Sequence, residues 1–140
     1  MDYEAFTRDL KTDLRANGRP TSGPMEGRTL LILTSTGAKS GTEQEAVVSY
    51  TRDGNDYVIA ATKSGAPTNP AWYHNLLANP EVIVEVDREK LRARATITEG
   101  AERDRLWDAH ATELPWFQEY PSKTERIIPV IRLTRLDPGE

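Results

Sequence analysis

The sequence contains no cysteine, and that absence removes several chemistries at once. No disulfide, thiolate nucleophile, iron–sulfur cluster or thiol zinc site is available to it. Histidine is nearly as scarce. The two present, His74 and His110, lie far apart in the chain, and no carboxylate spacing around either suggests a metal site. An excess of positive charge is also missing. The net charge of −4 argues against general binding to a phosphate backbone, so no nucleic-acid partner is expected. No apolar run approaches transmembrane length, and the acidic start Met1-Asp2-Tyr3-Glu4 is unlike a signal peptide, so the cytoplasm is the expected location. There is no Ser-His-Asp order, nucleophile elbow or paired-carboxylate arrangement.

What is present fits one domain with a modest core: 140 residues, 37% of them hydrophobic. Tyr3 to Ala16 reads as an amphipathic helix with Phe6, Leu10 and Leu14 on one stripe. Its charges are mixed, so packing on its own domain is favoured and a weak membrane-surface association stays open. The Gly- and Pro-rich stretch that follows reads as a linker, which divides the chain into 1–27 (helix and linker) and 28–140 (the main domain). Strands are expected over Arg28–Ser35, Glu45–Arg52, Tyr57–Thr62, Glu81–Val86, Leu91–Thr98 and Ile127–Leu136, with Asp53-Gly54 as a hairpin signal. Pro129 favours an edge or strand-entry position. Helices are expected after Asn69-Pro70, with Asn69 as N-cap and Asn79-Pro80 as the stop, and over Ala101–Glu113. About six strands joined by tight turns argue for a mainly β, α+β fold: an antiparallel sheet or barrel with helices outside.

Three places offer chemistry. Thr36–Gly41 and Ala61–Gly65 are glycine-containing loops with Lys39 and Lys63, and the second runs into a helix N-terminus. Such loops can cradle an anion, and they can equally be solvated turns. Trp116, Phe117 and Tyr120, between Pro115 and Pro121, can wall a pocket for a flat ligand or plug the end of a barrel. Lysines, backbone donors and aromatics without a nucleophile suit a cofactor that carries the chemistry itself.

The strings Leu33-Thr34-Ser35-Thr36-Gly37-Ala38-Lys39-Ser40-Gly41, Asn69-Pro70-Ala71-Trp72-Tyr73-His74-Asn75-Leu76 and Ala78-Asn79-Pro80 resemble the deazaflavin-dependent nitroreductase and quinone reductase family of actinobacteria. The resemblance runs from about Arg28 to about Leu133. It implies a split β-barrel that binds coenzyme F420, an 8-hydroxy-5-deazaflavin with a phosphate and oligoglutamate tail, and reduces quinones, enones or nitroaromatics. By the same resemblance Lys39, Ser40 and Gly41 contact the tail phosphate with Lys63 nearby. Ala61, Thr62, Lys63, Ser64, Gly65, Ala71, Trp72 and Tyr73 line the ring. Leu114, Trp116, Phe117 and Tyr120 wall the substrate, with Tyr120 as the proton donor.

The chain departs from the family pattern at Gln44, where many members carry arginine, and at Ala38, where a second basic residue is often found. Glu43 and Glu45 are expected to add negative charge nearby. Two alternatives follow: an FMN enzyme on a related split barrel, or a non-catalytic carrier of a deazaflavin or lipid. A homodimer is a further option, since related split barrels often pair.

Overall fold

The computed structural model describes residues 3–62 and 68–136. Helix α1 (Tyr3–Asn17) leads into strands β1 (Leu30–Thr36), β2 (Glu43–Ser49), β3 (Thr51–Asp53) and β4 (Asp56–Ala60). Helix α2 (Ala71–Ala78), strands β5 (Glu81–Val86) and β6 (Glu89–Ile97), helix α3 (Gly100–Glu113), a 3₁₀ helix (Pro115–Lys123) and strand β7 (Val130–Leu136) follow. The strands form one sheet in the order β2-β1-β5-β6-β7-β4-β3, with every pairing antiparallel.

Two expectations need correction. The sheet has seven strands rather than six, because Glu45–Arg52 is not one strand: the chain breaks at Tyr50, which turns its ring into the core against Tyr57 at 5.5 Å. The barrel is also not closed, since β2 and β3 are the two ends of the strand order. Yet Tyr50 alone separates these edges in sequence, and two residue steps span at most about 7 Å. The sheet must therefore roll until its edges face each other. Alternate residues of five strands then meet inside: Leu31 and Leu33, Ile59, Val82 and Val84, Leu91 and Ala93, Ile131 and Leu133.

Helices cover this roll from outside. The outer face of β4 and β7 (Val58, Ala60, Val130) carries α3 and the 3₁₀ helix through Leu106, Trp107, Ala111, Leu114 and Phe117. At the β1 end, Leu10 and Leu14 of α1 pack on Leu30 and Ile32. Lys11 and Arg15 reach Glu45 at 2.8 and 2.7 Å, and Arg15 reaches Glu85 at 2.9 Å. Leu10 and Leu14 of the stripe that the sequence offered to a membrane surface are therefore used on the sheet. Among the described residues no helix is long and apolar enough to cross a membrane.

Short turns behave as the sequence suggests. Gly54 adopts a left-handed φ of 61° in the β3–β4 hairpin. Asp87 and Arg88 both take positive φ in the two-residue β5–β6 turn, as primed hairpin turns require. Pro129 stands immediately before β7, at its entry, and β7 itself is interior to the sheet.

Candidate functional site

The β1–β2 connection and α2 together build the site. Gly37 N–H donates to the Thr42 carbonyl at 2.8 Å, and Gly41, at φ 70°, donates back to Gly37 O at 3.0 Å. The Ser40 and Thr42 hydroxyls lie 2.8 Å apart, closing the turn. Gly37 sits in close quarters: a Cβ there would collide with Ser40 Oγ and stand 2.9 Å from Gln44 Nε2, so both side chains would have to shift.

Helix α2 braces this turn through Asn75. Its side chain is buried, and its Oδ1 accepts from the Ala38 N–H at 3.0 Å. Its Nδ2 donates to Ser35 Oγ at 3.1 Å and to Gln44 Oε1 at 2.9 Å. Ser35 and Gln44 are cross-strand partners, so one carboxamide sits across the end of the β1–β2 ladder. Between turn and helix lies an open pocket of about 570 Å³, lined by Gly37, Ala38, Lys39, Ser40, Gln44, Ala71, His74 and Asn75. Lys39 and Ser40 are exposed at its mouth.

Of the residues expected to hold the coenzyme, Lys39 and Ser40 of the β1–β2 turn and Ala71 of α2 line this pocket, whereas Ala61 and Thr62 do not. Gly41 stands in the same turn without lining the pocket. Trp72 and Tyr73 are half-buried against the interior core, beside Leu76. Ala61 is fully buried, its N–H donating to Pro129 O at 2.9 Å, and Thr62 follows it. Lys63, Ser64 and Gly65 lie outside the described residues. Leu114 and Phe117 are 5% and 6% exposed in the outer cluster, while Trp116 and Tyr120 are half-buried at its margin. None of these four lines the Lys39 pocket.

Two local expectations are corrected. Asn69 does not cap α2. The N-cap is Pro70 with no side-chain cap bond, and Asn69 Oδ1 instead accepts from Arg126 Nη1 at 2.8 Å. The negative charge of Glu43 and Glu45 does not face the pocket. Strand alternation puts both on the face opposite Gln44, where Glu45 is held by Lys11 and Arg15 and Glu43 stands near Thr34, Thr36 and Arg92. Lys11 and Arg15 keep the Glu45 carboxyl below the usual carboxylate range.

Asn75 and Gly37 lie within the strings that carry the family resemblance, and Arg126 at the entry to the expected last strand, but the sequence assigns none of them a role at the site. Asn75 lies four residues after Ala71, hence on the same helix face, a periodicity that could have found it beside the matched string. For Arg126 the local sequence holds no such signal, because its partners lie just beyond β4 and just before α2. Burial pulls its guanidinium below arginine's ordinary value.

Lys39, the Ser40 hydroxyl and the Gln44 carboxamide line one pocket beside a tight turn, the kinds of group that an anion needs. These residues suit the phosphate-bearing tail of a coenzyme. Among the described residues no cluster of His, Asp or Glu is built to hold a metal.

The family described as F420H(2)-dependent quinone reductase matches residues 6–135 of this chain. An F420H(2)-dependent quinone reductase of Mycobacterium tuberculosis is 39% identical over 108 residues, covering 75% of this chain and 72% of that protein. A solved F420-H2 dependent reductase superposes with a TM-score of 0.70 at 36% identity, over 76% of this chain and 94% of that one. A second solved structure, described as a domain-swapped dimer, gives 0.71 at 30% identity over 93% and 98%. The chain belongs to the F420H(2)-dependent quinone reductase family, and it is an oxidoreductase that uses reduced coenzyme F420.

Proposed function

We propose that the pocket between the Gly37–Gly41 turn and α2 holds the phosphate-bearing tail of coenzyme F420. The observation that carries this reading is the single pocket lining shared by Lys39, Ser40, Gln44 and the first turn of α2. Lys39 supplies the cation. Ser40 and Gln44 supply neutral donors, and Asn75 fixes the turn from beneath. Gly41 contributes its backbone. The ring is assigned to Ala61, Thr62, Ala71, Trp72 and Tyr73, and by sequence position to Lys63, Ser64 and Gly65.

The bound reduced coenzyme supplies a hydride to an electrophilic acceptor. The protein's part is to orient the two flat molecules and to exclude water between them. The acceptor is a quinone, with enones and nitroaromatics as the wider class, held beside Trp116 and Tyr120. Leu114 and Phe117 support that wall from the core, since both are buried behind it. Tyr120 is the proposed proton donor. Residues 28–140 form the coenzyme-binding unit, with α1 and its linker packed onto it. A homodimer belongs to the same proposal, and light scattering on the purified chain checks it.

The test is a fluorescence titration with coenzyme F420, with FMN in parallel. Micromolar coenzyme binding that is lost in Lys39→Ala, without FMN binding, supports the assignment. Binding of FMN instead supports a flavin enzyme. Tight coenzyme binding without turnover on quinones, enones and nitroaromatics supports a carrier.

A further inference from the structure

One side chain holds both ends of the connection between β4 and α2. Arg126 lies between the 3₁₀ helix and β7. Its Nη1 donates to Ala61 O at 2.9 Å and to Asn69 Oδ1 at 2.8 Å, and its Nη2 donates to Thr62 O at 2.6 Å. Ala61 and Thr62 are the first residues beyond β4, and Asn69 is the last before the Pro70 N-cap of α2. A rigid planar fork meets three acceptors in one geometry here. A lysine ammonium on its flexible stem cannot reproduce that set.

The location gives the fork a consequence beyond local packing. Ala61, Thr62 and the start of α2 are the ring-binding wall in the reading above. The segment that carries Arg126 leaves the aromatic 3₁₀ helix only three residues earlier, after Lys123. We propose that Arg126 is a positioning residue that fixes the spacing between the β4 exit and the first turn of α2, and so sets coenzyme affinity. It acts through Ala61, Thr62 and Asn69 and touches no substrate. The inference rests on the proposed coenzyme site.

A nearby arginine provides the control. Arg103 Nε and Nη2 donate to the Ile128 carbonyl at 3.2 and 2.8 Å, a similar side-chain-to-backbone clasp that leaves Ala61, Thr62 and Asn69 untouched. The experiment compares the full chain with Arg126→Lys, Arg126→Gln and Arg103→Lys. Coenzyme F420 Kd is read by fluorescence, Tm by thermal denaturation, and amide exchange along Trp72–Leu76 by mass spectrometry. Arg126→Lys is expected to weaken coenzyme binding tenfold or more and to speed exchange in α2. Arg103→Lys is expected to lower Tm while leaving Kd within twofold and α2 exchange unchanged. If Arg126→Gln does not fold, the lysine variant carries the test.

A Kd within twofold of wild type in Arg126→Lys overturns the inference. So does an equal loss of affinity in Arg103→Lys, which would make the effect one of general stability. If wild type itself binds no coenzyme, the proposed site fails rather than the clasp. Exchange in α2 then decides on positioning: equal rates in the two lysine variants overturn it.

Discussion

Asn75 Nδ2 donates to Gln44 Oε1 at 2.9 Å, and the direction of that bond is set from the opposite end of the carboxamide. The Ala38 N–H can only donate, so the atom facing it is Asn75 Oδ1. The amide nitrogen must then face Ser35 and Gln44. Gln44 in turn must accept with its oxygen, which leaves its own Nε2 as a donor packed beside Gly37. An uncharged residue thereby keeps a donor aimed at the pocket. Asn75→Asp preserves shape and the Ala38 bond but removes this donation and adds a negative charge. Gln44 must reverse its amide to satisfy the aspartate. The expected result is a coenzyme Kd raised tenfold or more, with a stability loss of about 1–3 kcal/mol. Titration and a urea midpoint measure the two effects separately.

The strands and the Asp53-Gly54 hairpin were legible because period-two alternation and turn chemistry are local. The break at Tyr50 was not, since Glu45–Arg52 reads as one β-prone run containing Val47 and Val48, and the rolling of the sheet is decided by distant strands. The same limit hid the partner of Asn69. As a residue before Pro70 it reads as a cap, and only the fold brings Arg126 to it. At the pocket, Lys39 stood out in its glycine-containing turn, whereas Ala71 came only from the family resemblance, as part of the ring wall. The opposed faces of Gln44 and Glu45 were implicit in strand alternation, but needed α1 to show where Glu45 goes.

Gly37→Ala tests the turn independently of charge. The added Cβ meets two side-chain ends, Ser40 Oγ and Gln44 Nε2, and a backbone oxygen, Thr42 O, at 3.3 Å. Ser40 and Gln44 can rotate away, so the chain is expected to fold with a loss of about 1–3 kcal/mol, the range for two hydrogen bonds. Their rotation breaks the Ser40–Thr42 contact and the Asn75–Gln44 bond. Coenzyme affinity should fall by an order of magnitude while Tm drops by several degrees and the chain stays folded. A Kd equal to wild type would detach this turn from the coenzyme.

His110 makes stability depend on pH. It is fully buried, with Nδ1 2.7 Å from Thr51 Oγ1 and its ring 4.7 Å from that of Phe117. Among the described residues its Nε2 is the one buried side-chain atom without a partner. Burial pushes its pKa down from 6.5 to about 4. Protonation is therefore easier in the unfolded chain, and lowering the pH favours unfolding. The contribution is complete above pH 6.5 and is lost as pH falls toward 4. By linkage the loss between pH 7.5 and 5 is about 2 kcal/mol. Asp13, Glu45, Asp53 and Glu85 all have lowered values, so their titration belongs below this window. His110→Gln should flatten urea stability between pH 7.5 and 5. An unchanged slope would assign it to other groups.

Tyr120 separates binding from chemistry. Its ring stands 5.3 Å from Phe117, which is itself locked against His110, and Lys123 Nζ lies 5.8 Å from the Tyr120 ring centre. The ring is therefore positioned by a buried neighbour while remaining half exposed. Tyr120→Phe keeps the ring and its packing and deletes only the hydroxyl. If that hydroxyl delivers the proton that follows hydride transfer, kcat should fall by roughly 10²-fold, the lower range for a positioned general acid. The coenzyme Kd should hold within twofold, because no residue of this segment lines the Lys39 pocket. Pre-steady-state oxidation of the reduced coenzyme against a quinone gives the decisive comparison. An unchanged rate assigns the proton to solvent and leaves Tyr120 as part of the acceptor wall. A fall in rate accompanied by a rise in Kd would instead place the hydroxyl on the coenzyme itself.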